Sequence, residues 1–519
     1  MPVLLFACAV NPVSGRREVI LMSEEDEREI DEREAKKVAE ILGLIDAPEL
    51  AAYVEQLGQA MAAHAPKRKL DYHFNIVEMD VPNAFALPGG HIYVSRGLLV
   101  HMNSEAELAN VLGHEIGHVA ARHAAQRDVR AKTVGIASIL GAVGAVVAGG
   151  DGRAVAATQM LGQGMISAYG RDQEREADRI ALDLAATVGV DPMGMADFLR
   201  TLDRTTRLEQ GFSRETGFFD THPSTPERVA EATTRAAVIR WEPKLSLTKS
   251  KADFLKRLDG LPVGKPASEG VFRDGRFLHP DLEISLAFPH GWYVDNQRSR
   301  VIAFAPTRDA VALLELQGPG MDPLAAAHSY AREEGFALSE GKAVRIGPLD
   351  AVRVRGLVPT QGGPFEMEIT FVAYDGNVYR LSGGARQGRF GRHAGVFRGF
   401  ARSFRNLREN ELEKIDELRL RIATARQGED LAAIGERSGN AWDVNRTAVV
   451  NGLTVGEPLE PGTLVKIAIR EPYRGAAEAA REDGDPAASG DNPVQGPEVA
   501  PGATPVPSEF RTHLRNFAG

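Results

Sequence analysis

His114, Glu115 and His118 have the types and spacing for hydrolytic metal chemistry. On an α-helix, positions four apart leave the same face one turn apart, so both imidazoles can reach one ion. Two nitrogen donors so placed suit a tetrahedral zinc. Glu115 is offset by one residue, beside the ion rather than on it. There a carboxylate can take a proton from a metal-held water as that water attacks a carbonyl. A five-residue pattern also arises by chance, so the plain alternative is a helix that happens to carry two histidines.

Two further stretches could complete such a site. In residues 171–178, Arg-Asp-Gln-Glu-Arg-Glu-Ala-Asp, Glu174 and Asp178 are again one helical turn apart. One carboxylate can complete a two-His, one-Glu set and leave a fourth position for water. A second can hold a ligand histidine by its other ring nitrogen. By itself the stretch reads equally well as a solvated charged helix. Residues 221–228, Thr-His-Pro-Ser-Thr-Pro-Glu-Arg, form a turn that introduces a helix. Arg228 there either braces a buried carboxylate or makes a surface ion pair. The element that must position the histidines is the helix over 105–123. Its Leu108, Val111, Leu112, Ile116 and Val119 recur at helical spacing.

The three stretches, in this order, resemble the zinc endopeptidase family of the CAAX prenyl proteases and HtpX-type bacterial proteases. Within it they are most similar to the soluble, BepA-like periplasmic branch. The matching motifs are His-Glu-x-x-His at 114–118, Arg-x-x-Glu-x-x-x-Asp at 171–178 and His-Pro at 222–223. Residues 83–95, Asn-Ala-Phe-Ala-Leu-Pro-Gly-Gly-His-Ile-Tyr-Val-Ser, resemble that family's strand along the active-site cleft. The likeness covers roughly the first half of the chain. Gly170 stands where the family often has serine.

The resemblance implies one zinc ion per chain, held by His114, His118 and Glu174 rather than by Glu176. Asp178 would stand behind the ligands and Glu115 would be the general base. Substrate would lie along Asn83, Ala84 and Phe85; for Asn83 the alternative is a plain turn residue before a strand. His222 would lie near the metal, where it either binds an oxyanion or occupies the open position and silences the enzyme; the alternative is a satisfied surface histidine.

The 519 residues allow about three or four domains. A net charge of −10 argues against nucleic acid as a partner. A single cysteine, Cys8, excludes an intrachain disulfide. No apolar run reaches the ~18 residues of a membrane span. The nearest, 134–150, is rich in Ala and Gly and ends at Asp151. It reads as a helix packed over the site. The whole segment 134–169, broken at 149–152, is then either a lid or plug, or a packed hairpin without a gating role. Leu5-Phe6-Ala7-Cys8 resembles the end of a lipoprotein signal, which makes a lipid anchor at Cys8 the one expected membrane contact. The alternative is a short buried segment with one free cysteine.

Ser23 caps a polar helix, and 50–63 is amphipathic. Residues 72–77 and 91–94 alternate as strands, and an edge strand at 84–87 would offer backbone groups to an extended peptide. Arg122, Arg127 and Arg130 read as a solvated helix face, and His91 and His123 as structural. Pro262, Gly264, Pro266 and Gly270 mark 241–270 as a linker. Strands follow at 282–288, 301–304, 311–316, 352–357, 367–374 and 377–381, with a helix at 323–334. Residues 386–408 read as one amphipathic helix with Phe397, Phe400 and Phe404 inside and arginines outside. Residues 420–469 resemble a LysM module, a strand–helix–helix–strand unit of a kind that often binds peptidoglycan. The usual Gly-Asp-Thr-Leu opening is Gly428-Glu429-Asp430-Leu431 here. From 473 onward the composition is that of a disordered tail.

The expected class is therefore α+β. A mainly helical gluzincin (thermolysin-like) protease domain with a small antiparallel sheet is followed by an α+β domain and a small βααβ LysM-like domain. The expected boundaries are 1–22 for an N-terminal segment, 23–240 for the protease, 241–270 for the linker, 271–408, 409–472 and a tail at 473–519. The expected function is zinc-dependent cleavage of unfolded or misfolded envelope polypeptides in the periplasm. The alternative is a chaperone or cell-wall scaffold with a self-inhibited zinc site.

Overall fold

The computed structural model describes the chain apart from residues 1–7, 12, 14, 16, 20–21, 67–69, 127–168, 209–217, 219–221, 223–225, 335–337, 359–363 and 476–519. The expected lid or plug, nearly all of the tail, most of the lipoprotein-like signal, and Arg127 and Arg130 lie outside the described residues. Two compact units result: residues 1–265 with 418–471, and residues 266–417 with 472–519. Among the described residues no helix is long and apolar enough to cross a membrane.

The first unit opens with a strand pair, β1 (Cys8–Val10) and β2 (Arg17–Val19). Helix α1 (Glu24–Ile41) follows; Ser23 caps it, with Asp26 reaching back to complete a capping box. It is polar in composition but buries Glu27, Asp31, Glu34 and Val38, one stripe at helical spacing. Helix α2 (Pro48–Ala62) buries its apolar face in the main core. Then come β3 (His73–Val77), β4 (Ala84–Ala86) and β5 (His91–Ser95). The small sheet is mixed rather than antiparallel. Its order is β3-β5-β4, with β3 parallel and β4 antiparallel to β5. The chain crosses from β3 to the far edge before the β4–β5 turn folds β5 into the centre. Alternation of side chains cannot show that insertion, because it is the same in either sheet.

Helix α3 (Arg96–His101) leads into α4 (Glu105–Ala120), capped by Ser104. All of α4 from Glu107 to Ala120 is buried, as expected of a helix enclosed by its neighbours. Helices α5 (Arg171–Val188), α6 (Met193–Leu208), α7 (Pro226–Val238) and α8 (Lys251–Leu258) complete the helical body. Small residues set the α4–α5 contact. A Cβ on Gly113 would lie 3.3 Å from the Ala181 Cα, and one on Gly117 would lie 3.1 Å from the Ala177 Cα. Side chains there would push apart the two helices that carry His114, His118 and Glu174. Helix α8 falls inside the stretch that the sequence marks as a linker. Its Phe254, Leu255 and Leu258 join the main core. Pro and Gly punctuate that stretch, but three apolar residues on one short helix outweigh them.

After β6 (Pro262–Val263) the chain enters the second unit. There β7 (Val271–Arg273), β8 (Arg276–His279) and β9 (Ile284–Leu286) start a four-stranded sheet. A seven-stranded antiparallel sheet takes β10 (Tyr293–Gln297), β11 (Arg300–Phe304), β12 (Ala310–Pro319), β13 (Lys342–Ile346), β14 (Leu349–Val358), β15 (Phe365–Tyr374) and β16 (Asn377–Arg386) in the order β10-β11-β12-β16-β15-β14-β13. Residues alternate between its faces. Ile302, Val311 and Leu313 pack with Tyr330 of α9 (Pro323–Glu334), whereas Val301, Ala312 and Leu314 pack with Phe400 of α10 (Phe390–Arg402). Helix α10 is thus shorter than the 386–408 expected: Arg386 ends β16, and Arg405 lies in the short strand β17 (Arg405–Asn406), paired with Glu411 at 2.6 Å.

A four-residue helix, α11 (Glu409–Leu412), precedes β18 (Asp416–Thr424), α12 (Leu431–Ser438), α13 (Val444–Asn451) and β19 (Leu464–Pro472). Sheet order β19-β18-β6 and a shared core fasten residues 418–471 to the helical body. Trp442 and Val450 lie in the same core as Leu108 and Val111. Lys466, fully buried, donates to the Val100 and Met102 carbonyls at 2.8 and 2.6 Å. Burial pushes Lys466 down and the neighbouring Glu107 up.

His101, beside this junction, gives a pH-dependent prediction. Burial holds its imidazole down at about 4, and Lys466 and Arg446 add to the shift. The unfolded chain takes up that proton near pH 6.5, the folded chain only near 4, so acid favours unfolding in between. Against His101→Gln, the wild type should lose about 2 kcal/mol of relative stability between neutral pH and about pH 5. Thermal unfolding of both proteins across that range measures it. A stability difference that does not vary with pH would contradict the assignment. The paired comparison removes the opposing titration of Glu107.

Candidate metal centre

Helix α4 presents His114 and His118 on one face, and α5 presents Glu174 against them. His222 arrives from the segment before α7. Its N–H donates to the Phe218 carbonyl at 2.7 Å, and the Phe218 N–H donates to the Pro82 carbonyl at 2.8 Å. The Phe218 ring stacks on His222, centroids 4.5 Å apart. These contacts tie His222 to the crossover that leads into β4.

Among the described residues, His114, His118, Glu174 and His222 are the one group whose donor atoms converge closely enough for a metal, all within 4.8 Å of one another. His114 Nε2 is 3.0 Å from His118 Nε2 and 3.2 Å from His222 Nδ1. Glu174 Oε1 is 3.4 Å from His118 Nε2 and 3.2 Å from His222 Nδ1, and its Oε2 is 3.6 Å from His114 Nε2. A tetrahedron with ~2 Å zinc–ligand bonds has edges of about 3.3 Å. The donor set therefore fits a tetrahedral ion, and all four side chains are shut away from solvent. Glu115 lies beside the group, its Oε1 3.5 Å from His222 Nε2.

Behind the donors stands a charged frame. Asp178 Oδ1 is 2.9 Å from His114 Nδ1. Arg228, on α7, donates to both Asp178 oxygens at 2.8 Å and reaches Glu174 Oε2 at 2.6 Å. Burial works against charge on His114, yet Asp178 and Glu174 hold its imidazole up at about 9. Burial lowers His118 well below the usual histidine range, and His114 and His123 push the same way. Burial would raise Glu174, but His222, His114 and His118 hold it well below the usual carboxylate range. Asp178 is likewise buried, and Arg228 and His114 keep it low.

The residues expected along the substrate are not among the converging donors. Asn83, Ala84 and Phe85 lead along β4, an edge strand packed against α4. The Asn83 carbonyl accepts from the Ser95 N–H, and the Leu87 N–H donates to the His91 carbonyl. By antiparallel alternation Phe85 also faces β5, which turns the backbone groups of Ala84 and Ala86 outward. The Phe85 ring packs inward with Val38, Leu87 and Tyr93. The far end of β4 approaches the donors, where Ala86, Leu87 and Pro88 share a small cleft with His118 and Tyr169.

Arg122 needs correction. It is not a solvated residue: it is buried, 3.1 Å from Glu27 Oε1, and it donates to the Met22 carbonyl. Its partner lies on α1, far back in the sequence, where helical spacing gives no hint of it. Its φ of +57° ends α4 and turns His123 back under His118. His123 and Glu176, close behind the ligands, carry no pattern that marks them. Tyr169, stacked on His118 at 3.7 Å, is equally silent in sequence.

A buried Glu beside two histidines of one helix, with a carboxylate from a second helix, defines a zinc metallopeptidase type of site. Residues 47–236 match peptidase family M48, whose metalloproteases use zinc. The beta-barrel assembly-enhancing protease of Escherichia coli (strain K12) is 34% identical over 242 residues, which are 45% of this chain and 46% of that protein. The mitochondrial metalloendopeptidase OMA1 of Schizosaccharomyces pombe is 27% identical over 246 residues, 47% of this chain and 68% of that one. Metalloprotease LoiP of Escherichia coli is 34% identical over 149 residues, 28% of this chain and 55% of that one. The chain thus spans about half the length of the first of these relatives.

Proposed function

We propose that the protein is a zinc metalloendopeptidase of the cell envelope that cleaves unfolded or misfolded polypeptides. The observation that carries this reading is the tetrahedral spacing of four buried donors with Glu115 beside them. His114, His118 and Glu174 would hold the ion in the gluzincin manner. A zinc ion there supplies a Lewis acid that makes water acidic near neutral pH and polarises a carbonyl. Glu115 takes the proton from the attacking water and returns it to the leaving amine. Asp178 orients His114, and Arg228 fixes Asp178 and Glu174 together. An extended substrate adds to β4 through the outward backbone groups of Ala84 and Ala86, with Asn83 at the entry of that strand. Residues 23–240 are the catalytic domain in this reading. Residues 409–472, with their strand–helix–helix–strand order, act as a LysM-like module with affinity for peptidoglycan. Cys8 carries the lipid anchor in the periplasm.

One observation favours a second reading. His222 Nδ1 stands at the fourth corner of the donor group, and its Nε2 faces Glu115. In that arrangement the base is engaged and the water position is filled, so the protein acts as a self-inhibited protease, chaperone or scaffold until His222 withdraws. Metal analysis of the purified chain, with casein digestion in the presence and absence of a chelator, tests both readings. Stoichiometric zinc and chelator-sensitive digestion support the first. Zinc with digestion only after His222→Ala supports the second. A chain without zinc overturns both.

A further inference from the structure

Of the two ligand histidines on α4, His114 is held from behind directly by Asp178, and His118 by a longer route. His118 turns Nε2 toward the other donors, 3.0 Å from His114 Nε2 and 3.4 Å from Glu174 Oε1. Its other nitrogen, Nδ1, is 2.9 Å from His123 Nδ1. His123 Nε2 in turn is 3.2 Å from Glu176 Oε2, and Asn11 Nδ2 donates to the same oxygen at 3.4 Å. His123 is fully buried, and Glu176 is mostly so.

The proton positions along this line follow from the ends. A neutral imidazole that offers Nε2 to a metal carries its proton on Nδ1. His118 Nδ1–H must therefore donate, and His123 Nδ1 must accept. The His123 proton then sits on Nε2 and is donated to the Glu176 carboxylate. Each atom along the line has one complementary role.

We propose that His123 and Glu176 form a two-residue relay that fixes the tautomer and ring angle of His118 and so sets metal affinity. The relay rests on the zinc reading of the site. The two are positioning residues: neither lies in the donor group. Glu174, Glu176 and Asp178 thus brace the centre from one helix by three routes, as ligand, as the end of the relay and as the partner of His114.

The test uses the full chain. Zinc affinity is measured by competition with a chromogenic chelator, and cobalt replaces zinc to read the ligand field from its visible absorption. His123→Leu should weaken zinc binding by about 10–100-fold and shift the cobalt spectrum. His123→Gln, whose amide can accept from His118 and donate to Glu176, should recover most of both. A merely structural role would lower the melting temperature without moving affinity or spectrum. Should His123→Leu not fold, Glu176→Ala is expected to weaken zinc about 10-fold with the fold intact. Wild-type affinity and spectrum in these variants would overturn the relay while leaving the zinc site standing. A wild-type chain that binds no zinc would overturn the site, and the relay with it.

Discussion

Glu115→Gln lowers casein cleavage by roughly 10²–10⁴-fold, the usual worth of a positioned general base, and leaves bound zinc unchanged. The amide keeps the shape of the side chain but cannot take a proton. Glu115 is fully buried at the edge of the donor group and is not one of the converging donors, so the substitution spares the ion. Zinc content by mass spectrometry and initial rates on a fluorescent casein give the two readouts. Undiminished cleavage would remove the base mechanism. Loss of zinc along with activity would instead place Glu115 among the ligands.

Arg228→Met should be the most destabilising single change in the first unit, at about 3–5 kcal/mol in the metal-free protein. The guanidinium bridges Asp178 and Glu174, as His114 also does, and both carboxylates are buried. Methionine fills much of the volume but leaves two enclosed negative charges facing each other. Zinc gives Glu174 a further partner beside the three histidines, so the loss should shrink when the ion is present. Thermal unfolding of wild type and variant, each with and without zinc, measures four values. Equal losses in both states would show that the arginine braces the fold alone and has no share in the centre.

The pairings His114 with His118 and Glu174 with Asp178 are legible in the sequence because helical periodicity is local. Four-residue spacing puts His114 with His118 and Glu174 with Asp178 whatever surrounds them. What stayed hidden depends on distant partners or on a backbone turn. Arg122 looks solvated until Glu27, on the first helix, is found beside it. His123 lies past the end of α4, and only the left-handed turn at Arg122 brings it to His118. Phe85 is expected along the substrate from the family resemblance, yet its ring packs with Val38, Leu87 and Tyr93. In the second unit, strands with alternating apolar residues are plain, whereas β10 and β13, short and mostly exposed or half-buried at the sheet margins, are not.

The first unit is built from two separated pieces of chain, residues 1–265 and 418–471. During synthesis the ribosome releases the peptidase core long before Trp442, Val450 and Lys466 exist to cover it. Until those residues emerge, the end of α3 keeps its Val100 and Met102 carbonyls without the lysine they await, and part of the core stays wet. The interval lasts for the translation of residues 266–417, the larger piece of the second unit. A holdase that shields apolar surface would find its window there, and a premature stop after residue 417 would leave that window open for good.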